Sequence, residues 1–102
     1  MGWQVIIAPS AQMDLADIVR YIAQHNSDAA ARLGFELITR AESLANFPEI
    51  GRRVPEFNSQ DLREIICRSY RIIYRLQHRD QRIEIVRFWH GARGFPHIPG
   101  KI

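Results

Sequence analysis

A chain of 102 residues is long enough for one modest core and too short for several domains. Its composition, 46% apolar and 25% charged, is that of an ordinary globular protein; no apolar run reaches membrane-spanning length, and the N-terminus lacks the basic-then-apolar layout of a secretory signal. The net charge of +3 conceals an asymmetry: residues 1–51 hold three arginines against six acids, while residues 52–93 hold ten arginines against five acids. Arginine outnumbers lysine thirteen to one, and a forked, permanently charged guanidinium suits bidentate recognition of phosphate or carboxylate. A basic half of this kind predicts a positive surface field that attracts nucleic acid or an acidic protein segment. The single cysteine, Cys67, excludes an internal disulfide, and no Cys/His cluster has metal-ligand spacing. The expectation is a cytoplasmic protein without metal, cofactor or membrane partner, in which Cys67 fills a small place in the core.

In chain order, Trp3 to Ala8 is rich in β-branched residues and stopped by Pro9, which predicts a first strand. Ser10 is placed to cap the helix that follows, with Asp14 and Asp17 near its positive end, and Ala11, Leu15, Ile18, Val19 and Ile22 form one apolar stripe. That helix should fade at His25-Asn26. Ser27 or Asp28 then caps a longer one, striped by Ala30, Leu33, Leu37, Ala41, Leu44 and Ala45, and the short break makes the pair an antiparallel hairpin. Gly34 favours close packing between the two at a cost in helix propensity.

Pro48 to Asp61 has turn residues and no period, which predicts a surface loop. Leu62–Cys67, Tyr70–Gln77 and Arg82–His90 then read as three strands joined by turns at Arg68-Ser69 and His78–Gln81, an antiparallel meander. Strict alternation in the last strand puts Ile83 and Ile85 on one face and Glu84, Val86, Phe88 and His90 on the other. The fold class is therefore α+β: an N-terminal strand, a two-helix hairpin and a three-stranded meander with an arginine-lined concave side. Residues 1–93 form the single domain, and 94–102, with two prolines and two glycines, form a tail that is mobile unless it docks.

Several stretches in this order resemble the RelE/ParE superfamily of bacterial type II toxins: Pro9-Ser10-Ala11 with Asp14-Leu15, Ile18, Tyr21-Ile22 and Asn26; Ala29-Ala30; the loop Phe47-Pro48-Glu49-Ile50-Gly51-Arg52 with Pro55-Glu56; Arg63-Glu64; Tyr70 to Arg75; and His90-Gly91-Ala92-Arg93. The likeness spans residues 3–93. It implies a toxin neutralised by a cognate antitoxin that covers its basic surface, with operator DNA reached only through that antitoxin. One branch of the superfamily cuts mRNA on the ribosome, and the ParE branch poisons DNA gyrase. The GR-x-x-PE loop and the long helix hairpin lean this chain toward ParE, although a shared scaffold does not fix the target.

The candidate residues divide by reading. An RNase acting through the RNA 2′-hydroxyl needs a base, cations on the phosphate and an acid for the leaving oxygen; His90, Arg68, Arg71 and Arg93 are the candidates, with Glu49 or Glu64 as base. The plainer reading of His90 is a hydrogen bond to loop backbone at a strand end. A binding toxin would use Arg52, Arg53, Arg63, Arg71, Arg75, Arg87 and Arg93 toward its target or antitoxin. Salt bridges to Glu64, Glu84 and Asp80 are the competing use of those arginines, but within residues 52–93 they outnumber the acids two to one. Trp3, Trp89, Phe88 and Phe95 are core aromatics by default, with base stacking as the alternative. A binding module without toxicity is the third class.

Overall fold

The computed structural model describes residues 2–100. Strand β1 (Gln4–Ile7) leads into helix α1 (Pro9–Ala23), where Pro9 occupies the first helical turn, a place at which a missing N–H costs nothing. The cap expected from Ser10 is not formed: Ala8 sits at the cap position without a side-chain bond, and Ser10 Oγ donates instead to the Val86 carbonyl at 2.7 Å. Helix α2 (Ser27–Glu42) is capped by Asn26 rather than by Ser27 or Asp28; the Asn26 side chain accepts from the Ala29 N–H at 3.0 Å. The helices fold back on each other as expected. A Cβ at Gly34 would stand 3.1 Å from Val19 Cγ2, so glycine is what allows their close approach there.

The sheet is larger than the sequence suggested. Besides β3 (Leu62–Cys67), β4 (Tyr70–Gln77) and β5 (Arg82–His90), residues Arg52–Arg53 form β2, an edge strand paired antiparallel with β3. The segment read as a loop therefore contributes a strand, too short to carry any period. The strand order is β1-β5-β4-β3-β2, with β1 parallel to β5, so the sheet has five strands and is mixed. The meander β3-β4-β5 is present as expected. Arg68 (φ 55°) and Gln81 (φ 50°) take up the left-handed backbone that the two meander turns require.

One irregularity changes which residues share a face. Ile73 pairs with Arg87 and Tyr74 with Ile85, so Val86 is an extra, bulged residue in β5. The alternation expected along β5 breaks there: Phe88 joins Ile83 and Ile85 under the helices, while Val86 faces the other way. The core is accordingly split by the sheet. On the helix side Leu37, Leu44, Ile72, Tyr74, Ile83, Ile85 and Phe88 pack together. On the opposite side Val54, Leu62, Ile73, Val86 and Ile98 form a second, smaller core, closed by Phe57 and Phe95 with ring centroids 5.0 Å apart. Ile98 is only 2% exposed, so the tail docks through residue 100; Lys101 and Ile102 lie outside the described residues. Cys67 is fully buried in the larger core, and burial pushes its thiol above the ordinary value, with the nearby Glu36 carboxylate adding to the shift.

Candidate functional site

The GR-x-x-PE segment is tied to the sheet by charge. Glu64 on β3 is buried to 1% exposure, and its carboxylate is gripped from two sides: Arg71 Nε donates to one oxygen at 2.6 Å and Arg52 Nε to the other at 2.6 Å. Arg71 is itself buried and turns the rest of its fork to Glu56, through Nη2 at 2.9 Å and Nη1 at 3.2 Å. The hydrogen bond from Arg71 holds the Glu56 carboxyl below its ordinary range. Two arginines and two glutamates thus form a neutral chain across β2, β3, β4 and the loop, which is the condition under which burying such groups is tolerated. Gly51 completes the join: its N–H donates to Tyr74 Oη at 3.0 Å, that hydroxyl donates to the Pro48 carbonyl at 2.8 Å, and a Cβ at Gly51 would lie 2.5 Å from the same oxygen.

The other arginines expected to face a partner are also largely engaged. Arg75 donates to Glu84 at 2.9 Å and to the Pro99 carbonyl at 2.8 Å. Arg87 holds Asp14 of α1 bidentately at 2.7 and 2.8 Å and donates to the His97 carbonyl, and the Asp14 hydrogen bond raises its already high pKa further. Arg68 pairs with Glu36 of α2 at 2.6 Å, holding that carboxyl below its usual range. Arg63 donates to the carbonyls of Gln60, Gly51 and Glu49. The surplus counted within the second half is thus partly met from the first, by Asp14 and Glu36, which corrects the expected picture of a face crowded with unneutralised guanidiniums. Among the described residues, Arg53, Arg63, Arg79 and Arg93 are the arginines between 52 and 93 that have no acidic partner.

The residues proposed for RNA cleavage do not converge. Arg71 lies on the second-core side, His90 lies beside Tyr70 on the helix side, and Arg68 sits in the β3–β4 turn. The ring of His90 stands edge-on to Tyr70 with centroids 5.2 Å apart, and its Nδ1 accepts from the Ala92 N–H at 3.1 Å.

His90 and Arg93 do share one feature, a cleft of about 350 Å³ between α1 and the end of the sheet, whose other walls are Asp14, Asp17, Ile18, Tyr21, Tyr70 and Phe88. It exists because β1 stops at Ile7. Beyond that point α1 takes over the edge of β5, with Ser10 bonding the Val86 carbonyl and Asp14 accepting from the Phe88 N–H at 3.1 Å. Asp14, Asp17, Ile18 and Tyr21 fall at helical spacing on one face of α1. That spacing is legible in the sequence, but its pairing with Tyr70 and His90 is not. Burial pushes the Tyr70 phenol above its ordinary value, so it stays protonated. Arg93 lies over the Trp89 ring at 4.1 Å and Arg87 at 4.6 Å, while the indole N–H donates to the Gly94 carbonyl at 3.1 Å. Of the other aromatics singled out in the sequence, Trp3 packs against the helix-side core and Phe95 against Phe57. Among the described residues no group of His, Cys, Asp and Glu has the makings of a metal site, and no helix is long and apolar enough to cross a membrane.

A strand, a two-helix hairpin and a mixed sheet whose far face is closed by a loop and a tail define a small toxin of the RelE/ParE superfamily, and comparisons with known proteins agree. Solved structures share the fold: the chromosomal ParDE toxin–antitoxin system from P. aeruginosa (TM-score 0.70, 15% identity, 86% of this chain and 95% of that one) and the toxin–antitoxin complex RelBE2 from Mycobacterium tuberculosis (TM-score 0.67, 17% identity, 88% and 99%). The toxin RelE2 of Caulobacter vibrioides is 38% identical over 91 residues, which cover 88% of this chain and 97% of that protein. The model of the ParE toxin of type II toxin–antitoxin systems (parDE) matches residues 5–95, and the chain belongs to that family.

Proposed function

We propose that this chain is a cytoplasmic toxin that blocks growth by binding and inhibiting DNA gyrase without cutting RNA, and that a cognate antitoxin neutralises it and carries the pair to operator DNA. The observation that carries this reading is the dispersal of the groups an RNase would need. Arg71 is buried between Glu56 and Glu64, Arg68 is paired with Glu36, and His90 stands on the opposite side of the sheet from Arg71 with one ring nitrogen held by backbone. General acid–base chemistry on a phosphodiester needs those groups within reach of one another. The kinship with ParE toxins of parDE systems adds support.

Purified toxin titrated into a gyrase supercoiling reaction should abolish supercoiling at saturation, and unchanged supercoiling there overturns the proposal. The second reading, a ribosome-dependent mRNA endonuclease, is favoured by one observation: His90 and Arg93 line a single cleft with Tyr70. On that reading induction yields new mRNA ends by primer extension, and His90→Ala removes both the ends and the toxicity.

A further inference from the structure

The cleft between α1 and the end of the sheet has an electrostatic property that its residue types hide. Two carboxylates and one guanidinium line it, which suggests a net negative site. The carboxylates are already partnered: Asp14 by the bidentate Arg87 and the Phe88 N–H, and Asp17, at the exposed rim, by Arg20 at 2.8 Å. Arg93 has no acidic partner among the described residues and makes no side-chain hydrogen bond there. It is nevertheless placed over the Trp89 ring, 4.1 Å from the centroid, and the indole N–H is itself fixed by the Gly94 carbonyl. Holding the side chain in place beforehand removes part of the entropy cost of binding an anion. Two further polar side chains, His90 and Tyr70, line the same cleft. The floor is apolar, made by Ile18 and the buried Phe88, and Tyr21, 67% exposed, stands at the mouth.

We infer that this cleft is a docking pocket for an acidic peptide segment, one bulky apolar side chain filling it between Tyr21 and Tyr70 while a neighbouring carboxylate pairs with Arg93. The inference rests on the reading of the chain as a toxin with a protein antagonist, and names the surface by which such an antagonist recognises it. Charge complementarity selects the occupant: a single unmet positive charge beside apolar walls fits one carboxylate next to one large side chain. A nucleic-acid backbone fits poorly, because its affinity comes from neutralising many phosphates at once and this cleft offers a single guanidinium without an acidic partner. The volume of about 350 Å³ is at the small end for ligand pockets, which suits one or two side chains and not a folded element.

The test is an NMR titration of the full chain that follows the Arg93 Nε–H, the Ala92 amide and the Trp89 indole N–H. The probes are a capped glutamate–phenylalanine–glutamate tripeptide, its lysine–phenylalanine–lysine counterpart and a single-stranded oligoribonucleotide of five residues. The acidic tripeptide should shift all three signals saturably and the lysine peptide should not. Arg93→Gln, at an exposed position, should weaken binding roughly tenfold, the value of a charge-assisted hydrogen bond of about 1.5 kcal/mol, with Arg93→Lys recovering part of it. Tyr21→Ala should lower affinity for the phenylalanine peptide but not for the same peptide with alanine at its centre. Equal response to both charged peptides, no response to the acidic one, or a tighter response to RNA overturns the inference. The supercoiling assay is read separately: peptide binding without gyrase inhibition leaves the pocket standing and removes the proposed target, and gyrase inhibition without peptide binding does the reverse.

Discussion

The two faces of the sheet are closed by different physics. Under the helices, Leu37, Ala41 and Leu44 meet Ile72, Tyr74, Ile83, Ile85 and Phe88, a dry layer held by area and shape. On the other face a small apolar cluster around Ile73, Val86 and Ile98 shares the surface with the Arg52–Glu64–Arg71–Glu56 chain and with arginines that clasp carbonyls of the tail. The helix-side layer tolerates loss of detail, because neighbouring side chains can partly collapse into a gap. The charged face does not, because buried Glu64 and Arg71 are each satisfied by two named partners and relaxation cannot create a new counter-charge.

The strongest way to break this contrast is at Glu64. Glu64→Ala leaves Arg71 buried with only the loop carboxylate of Glu56, and removing one member of a buried pair costs about 4 kcal/mol. Urea denaturation should show that loss as a lower midpoint. Combining it with Arg71→Met should return part of it, since the double variant leaves no unmet charge buried at these two positions; a double variant no more stable than Glu64→Ala would refute that account. Leu37→Ala, on the helix side, should cost less, about 3 kcal/mol for the lost methylenes and the residual cavity. No second substitution of opposite charge should rescue it.

How much of this was legible in the sequence follows the same division. The helices and the meander were readable because their apolar spacing is a local pattern, and Gly34 and Cys67 were read correctly for the same reason. The bulge at Val86 was not, because it is a property of cross-strand register, and it carried Phe88 and His90 to the unexpected face. Strand β2 has two residues, both exposed, and offers no period to detect. Ser10 looked like a helix cap, but the end of β1 left a carbonyl of β5 for it to satisfy, 76 positions away. Charge was misjudged by being counted within one half of the chain: Arg87 and Asp14 are 73 residues apart, and no spacing rule joins them. In the cleft, His90 and Arg93 were legible together because they are neighbours, whereas Tyr21 and Tyr70 were noticed only as parts of a family pattern.

The smallest effect is the one that isolates the rim of the charged face. Glu56 has a folded-state pKa below its unfolded one, chiefly because Arg71 donates to its carboxylate. At a pH between the two values the unfolded chain binds more protons than the folded one, so this group's contribution to stability is fully present above the ordinary glutamate range. It is lost as pH falls through the depressed value. Glu56 is substantially exposed at its side chain, so solvent screening keeps the effect slight. Thermal unfolding of the parent chain and of Glu56→Gln, followed from neutral pH down through the carboxylate range, should show curves separated at neutral pH that converge in acid. Glu64 supplies an internal control, since it remains in both proteins. Curves that stay parallel throughout would mean that the exposed arm of Arg71 gains nothing from Glu56, and that the network ends at Glu64.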